Sequence, residues 1–403
     1  MKYLLLLVLF VIFHIPIFAQ WNSIQSGTFG TLNEVEFIDD SIGFIAGTSG
    51  ILKTIDQGNS WTLTSQTING SAINFPSDSI GYCIDNYKNV LRTDNQGDSW
   101  SVVNSFQNLN LNSVHFVSEN IGYIAAHIQG PVQSYIMKTL DGGSTWDLDS
   151  FPNIPTLQDI HFLNSDTGFV CGYGGKVIKT YNGGASWDIV QSEKFETLIS
   201  LHFYNNQIGC AVGYSSFSGH EVVITSNLGI DWLKINSNGT INNALRSVHF
   251  PSADTVYAVG ENGRIIFSLD AGNTWTISYS GITNDLYSVF FISSDVGIAV
   301  GGGGKIIKTN NGTYVSTENP IPVQKELKIF PNPTDLSRDL TISSHISITK
   351  IQIVDELGKV VYYIDHPISD NIVIPNDILK SGIYFISITN NQGLQHNEKL
   401  IVK

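Results

Sequence analysis

Three arginines in the first three quarters of the chain, Arg92, Arg246 and Arg264, are the side chains whose type most directly suggests chemistry, since guanidinium groups converging on one point clamp a carboxylate. Their places argue against convergence. Arg92 ends one apolar strand, whereas Arg246 and Arg264 begin two others, in a different part of the chain. Hydrolysis of a glycoside would need two carboxyl groups roughly 5–10 Å apart, and among 35 Asp and Glu no spacing marks such a pair. Cys83, Cys171 and Cys210 each lie in an apolar strand with no His or Cys at ligand spacing, so they read as buried thiols, neither a disulfide framework nor a metal site. Four histidines, His115, His161, His202 and His249, recur at one position of a repeated strand and read as scaffold. No catalytic residue, cofactor or metal is expected.

The elements that would position these residues follow from a repeat. TIDQGNSW from Thr54 recurs as TDNQGDSW from Thr93, TLDGGSTW from Thr139, TYNGGASW from Thr180, TSNLGIDW from Thr225 and SLDAGNTW from Ser268. Ahead of each box stand a V-x-F strand, such as Val35-Glu36-Phe37, and a Gly-led apolar strand, such as Gly43-Phe44-Ile45. A third short strand leads into the box and a fourth leaves it after the Trp. Four antiparallel strands in about 40 residues make one propeller blade.

Six of the seven tryptophans (Trp61, Trp100, Trp146, Trp187, Trp232 and Trp275) close the six complete boxes. A seventh box, from Thr309, has no Trp, and Trp21 stands without a box. The N-terminal strand is therefore expected to complete the last blade. That closes the ring and leaves no free sheet edge. The reading is an all-β chain: a seven-bladed β-propeller over residues 20–314 closed by an N-terminal strand, a linker over 315–326, and a small β-sandwich over 327–403.

The box resembles the Asp-box, or bacterial neuraminidase repeat, and the whole repeat is similar to the photosystem II assembly-factor type of propeller. The box residues Asp56, Asp141 and Asp270, with the six box tryptophans, are read as turn and packing residues: the carboxylate accepts backbone N–H bonds and Gly supplies the positive φ. A sialidase or other glycoside hydrolase is the alternative that the Asp-box implies, but a sialidase needs the arginine cluster that this chain lacks. The tail, with LKIFPNPT from Leu327, KIQIVDELGKVV from Lys350 and LKSGIYFISI from Leu379, resembles a type IX secretion type A sorting domain. That resemblance implies the export machinery as a partner and delivery to the cell surface or medium through the periplasm.

Lys2 followed by an apolar stretch to Phe18 and then Ala19 reads as a signal peptide over residues 1–19, and no later segment has the length to span a membrane. A net charge of −14 disfavours nucleic acid as a partner. Specificity is expected on the loops between the second and third strands of the blades. The intervals 126–139 and 213–225 are longer there than in the other blades. They carry His127 and Tyr135, and Tyr214, Phe217 and His220. The shorter loops add Tyr87, Tyr173 and Glu261. These residues are the expected binding surface for a protein or glycan.

Overall fold

Apolar residues that alternate on both faces of short segments bounded by glycine turns have one stable outcome, strands packed between neighbouring sheets. In the computed structural model, which describes residues 21–312 apart from 129–131, 192–195, 217–218 and 236–242, and 328–402 apart from 331–333, 335–338, 344–347, 356–358, 366–370, 376–377 and 391–394, each repeat is such a sheet. The expected signal peptide and linker fall outside these residues. The chain divides into two compact units, Met1–Val315 and Ser316–Lys403.

Blade 1 comprises strand A (Leu32–Phe37), strand B (Gly43–Gly47), strand C (Gly50–Thr54) and strand D (Thr62–Ser65), paired antiparallel in that order. Five more blades repeat the pattern. The seventh takes strands A to C from Leu286–Phe291, Gly297–Gly301 and Lys305–Thr309, and its fourth strand from Asn22–Ile24. Asn22 lies opposite Lys308 and Ile24 opposite Ile306. Trp21 is buried, with its ring edge-on to Phe291 at 6.1 Å and to Tyr257 at 6.3 Å. The strands A pack each on the next around the ring, and the seventh packs on the first.

The V-x-F phenylalanine is the bolt between blades. Phe75 of blade 2 stacks on Phe44 of blade 1 at 4.2 Å and takes the edge of its own blade's Trp100 at 5.9 Å. Tyr82–Phe116, Tyr123–Phe162, Phe169–Phe203 and Tyr257–Phe291 repeat the stack. The glycine that opens strand B answers to the same ring: a Cβ on Gly43 would fall 2.6 Å from Phe37.

The box is a turn knitted by side chains. Thr54 Oγ1 donates to Asp56 Oδ1 at 2.8 Å and accepts from the Gly58 N–H at 2.9 Å, while Asp56 Oδ1 accepts from the Ser60 N–H at 2.9 Å. Gln57 and Gly58 both have positive φ, 62° and 78°. A link absent from the sequence reading joins the boxes of blades 1, 2, 4 and 5 each to the blade before it. The Lys53 ammonium donates to the Gln96 carbonyl at 2.7 Å and pairs with Asp98 at 2.8 Å. Lys138 reaches the Gly183 carbonyl, Lys179 the Leu228 carbonyl and Lys308 the Asn59 amide oxygen. The signal was present, as a Lys or Arg immediately before the box Thr in five of seven repeats.

The second unit has a three-stranded sheet with order Lys328–Phe330, Leu340–Ser343 and Asn371–Ile374, and a four-stranded sheet with order Val360–Asp365, Ile348–Asp355, Gly382–Asn390 and Gln395–Val402. Leu340, Ile342, Ile372 and Ile374 of the first share one core with Ile351, Ile353, Ile386, Ile388 and Leu400 of the second.

Candidate functional site

All seven strands A carry the same irregularity near their start, as between Leu32 and Glu34 or between Leu245 and Ser247. A bulge turns two consecutive side chains toward one side. Here that side is the axis of the ring, where the strands line a channel in three layers. The mouth layer includes Asn33, Asn112, Gln158, Arg246 and Tyr287. Beneath it lie Glu34, Ser113, Asp159, Ser200, Ser247 and Ser288. The third layer is Glu36, Asn74, His115, His161, His202, His249 and Phe290. The cavity enclosed by the lower layers is about 190 Å³.

Innermost strands have an edge with no sheet partner, and the channel side chains satisfy it. Ser288 accepts from the Val35 N–H at 3.2 Å, Glu34 from the Ile73 N–H at 2.6 Å, Asp159 from the Leu201 N–H at 2.9 Å and Ser247 from the Val289 N–H at 3.2 Å. Each bond runs from one blade to the next. Burial pushes the Glu34 carboxyl up to about 8, with the Asp159 charge adding and the Ile73 N–H opposing, so it is protonated at neutral pH. Burial likewise raises Asp159.

Strand A begins beside the end of strand B, as Leu245 opposite Gly260 shows, so the mouth layer and the loops between strands B and C share one face. Arg246 of blade 6 lines that face. Its Nη2 donates to Glu261 Oε1 at 2.8 Å, and its guanidinium lies 5.9 Å from the Tyr287 ring centroid. Tyr173 and Tyr214, at the ends of strands B in blades 4 and 5, meet edge-to-face at 6.4 Å. Burial and the Tyr214 hydroxyl raise the Tyr173 phenol while the Arg246 charge opposes them. Two tyrosine rings, a third under a guanidinium, and one carboxylate form an amphipathic rim on the polar mouth.

Of the residues expected to bind, the structure gathers Tyr173, Tyr214 and Glu261 here. His127 also reaches the mouth, held between Asn110 at 3.2 Å and Asn112 at 3.0 Å, and burial lowers its pKa. Tyr135 and His220 stand apart. The long interval in blade 3 is largely extra ladder, since strands B and C run Gly122–Ile128 and Gln133–Thr139, and Tyr135 packs on the core between blades 2 and 3. His220 is buried and Tyr87 stands 61% exposed. Phe217 lies outside the described residues. Sequence reasoning missed Tyr287 and the role of Arg246. The signal was their shared register, one residue after the Leu that opens strand A. The three arginines are engaged separately, Arg92 with Asp94, Arg246 with Glu261 and Arg264 with Asn243.

Among the described residues no helix is long and apolar enough to cross a membrane, and no group of three or more His, Cys, Asp or Glu stands where it could hold a metal ion. No curated protein matches the chain. Solved structures do. YCF48 bound to D1 peptide aligns with a TM-score of 0.57 at 18% identity, over 72% of this chain and 96% of its own. YCF48 from Cyanidioschyzon merolae aligns with 0.59 at 18%, over 72% and 99%. The GH74 xyloglucanase of Xanthomonas campestris aligns with 0.57 at 12%, over 81% of this chain and 59% of its own. At these identities the likeness is one of fold, and the first unit is a β-propeller of that kind. Residues 328–403 match the secretion system C-terminal sorting domain, so the chain joins a β-propeller to a type IX sorting domain that sends it to the cell surface or the extracellular space.

Proposed function

We propose that the propeller is an exported binding module that holds an extended polypeptide segment of a partner across the mouth of its channel. The observation that carries this reading is the gathering of Tyr173, Tyr214, Arg246, Glu261 and Tyr287 on one face, from four different blades. Tyrosine and arginine dominate the energetics of protein recognition because they bury large area and keep a polar handle. A propeller of similar fold has been solved with a peptide bound, which supports a polypeptide over other ligands. The test is to capture the surface partner by crosslinking to the full mature chain, and then measure affinity for synthetic segments of it. Tyr173→Ala with Tyr214→Ala is expected to weaken binding by about tenfold or more at unchanged Tm. Equal affinity would move the site elsewhere.

A glycoside hydrolase is the second reading, favoured by one observation: Glu34 and Asp159 face the same channel closely enough for the charge of one to raise the pKa of the other. Both, however, are engaged by backbone N–H groups of neighbouring blades, which is the work of scaffold. The same preparation assayed on xyloglucan and aryl glycosides is expected to show no turnover. Turnover abolished by Asp159→Asn would replace the binding reading.

A further inference from the structure

The third channel layer has an uneven chemistry that the first two lack. Going round the ring, the position before the V-x-F phenylalanine is Glu36, Asn74, His115, His161, His202, His249 and Phe290. Two of these perform one identifiable task. Glu36 Oε1 accepts from the Phe75 N–H at 3.2 Å and Asn74 Oδ1 from the Phe116 N–H at 2.7 Å, clasping blade 1 to 2 and blade 2 to 3. In blade 5 the same task falls to an imidazole, with His202 Nδ1 accepting from the Phe250 N–H at 3.4 Å. An imidazole nitrogen accepts only while it is unprotonated, and on protonation it becomes a donor facing a donor. The four rings are also neighbours, with centroids 5.3 Å apart for His115–His161, 5.1 Å for His161–His202 and 4.4 Å for His202–His249.

We propose that this histidine ladder is an acid-sensitive latch on the ring: protonation breaks the His202 clasp and sets like charges against each other along blades 3 to 6, loosening those seams while the Glu36 and Asn74 seams hold. The groups facing the ladder allow it no relief. Glu36 shares its layer, Glu34 and Asp159 lie in the layer above, and the remaining lining is Ser, Asn, Phe and aliphatic, with no Lys or Arg in these two layers among the described residues. The three carboxyls are themselves raised by burial, so they are poor counter-ions for a new imidazolium. A protonated carboxyl still accepts through its carbonyl oxygen, which is why the Glu36 clasp survives acid.

The direction in pH follows from burial, which lowers His115 to about 3, His161 to about 4, His249 to about 3 and His202 well below the ordinary value of 6.5, with neighbouring histidines adding to the shift for His115, His202 and His249. A folded-state pKa below the unfolded one means stability that is whole above about 6.5 and is lost as pH falls from there toward 3. Glu34 contributes in the opposite sense. Its raised pKa gives stability that is present below about 4.5 and lost as pH rises through about 8.

The fold supplies its own conservative replacements, since Asn and Phe already occupy this register in blades 2 and 7. Unfolding of the full mature chain, compared with His202→Asn and with the pair His202→Asn and His249→Phe, is followed from pH 7 to pH 3. The measured quantity is the loss of Tm between pH 7 and each lower pH, so a variant weakened at neutral pH remains informative. The paired variant is expected to move the acid midpoint down by about half a pH unit or more, and His202→Asn by less. Hydrogen exchange at pH 5 is expected to rise first at the strand A amides of blades 4 to 7 in the parent. An acid midpoint equal to the parent's, or exchange rising first in blades 2 and 3, overturns the proposal.

Discussion

Thr54 shows how much one side chain can carry in a repeat. Buried, it donates to Asp56 and accepts from the Gly58 N–H, which points into the turn where water cannot replace the bond. Thr54→Val keeps the shape and removes both bonds, so it is expected to cost about 1–3 kcal/mol by chemical denaturation, the range for stranding a buried donor. Ser268 does the same work in blade 6, so Thr54→Ser should be nearly neutral; equal losses for Val and Ser would show that packing, not the hydroxyl, matters. This chemistry was legible in the sequence because it is local: the whole device fits within eight residues and recurs six times. Arg246 was not legible in the same way. Its partners Glu261 and Tyr287 come from the turn after strand B of its own blade and from strand A of the next, and only the pairing and packing of those strands brings them together.

At the scale of strands, a missing Trp after Thr309 and an orphan Trp21 sufficed to assign the fourth strand of blade 7, because every other blade shows what that strand must contain. The bulge in strand A went unread, since nothing local distinguishes Asn33 from Glu34 until a partner strand sets the register. Reading the interval 126–139 as a loop also failed, because Gln133-Ser134-Tyr135 has the alternation of a strand and pairs as one. Deleting residues 20–27 removes the partner of Lys305–Thr309 together with the buried Trp21 ring. Loss of a buried Trp side chain alone costs about 3–5 kcal/mol, so Tm should fall by many degrees. An unchanged Tm would mean that the ring does not depend on this strand.

For the molecule as a whole, two units with separate cores make export and binding separable. A chain stopped at Asn319 keeps the propeller and lacks the sorting domain, so it is expected to fold and to accumulate in the periplasm. Immunoblots of cell fractions check this, and a truncated chain found in the medium would refute the role given to the tail. One further consequence follows from the pairing of Asn22–Ile24 with Lys305–Thr309. This strand, the first among the described residues, has to wait for almost the last segment of the propeller before it finds its partner, and loop closure over so long a separation is slow relative to hairpin formation. Until then the nascent ring is an open arc whose seventh blade lacks its fourth strand. The contacts that shut the circle, this pairing and the packing of the seventh strand A on the first, are therefore the last that the order of synthesis permits.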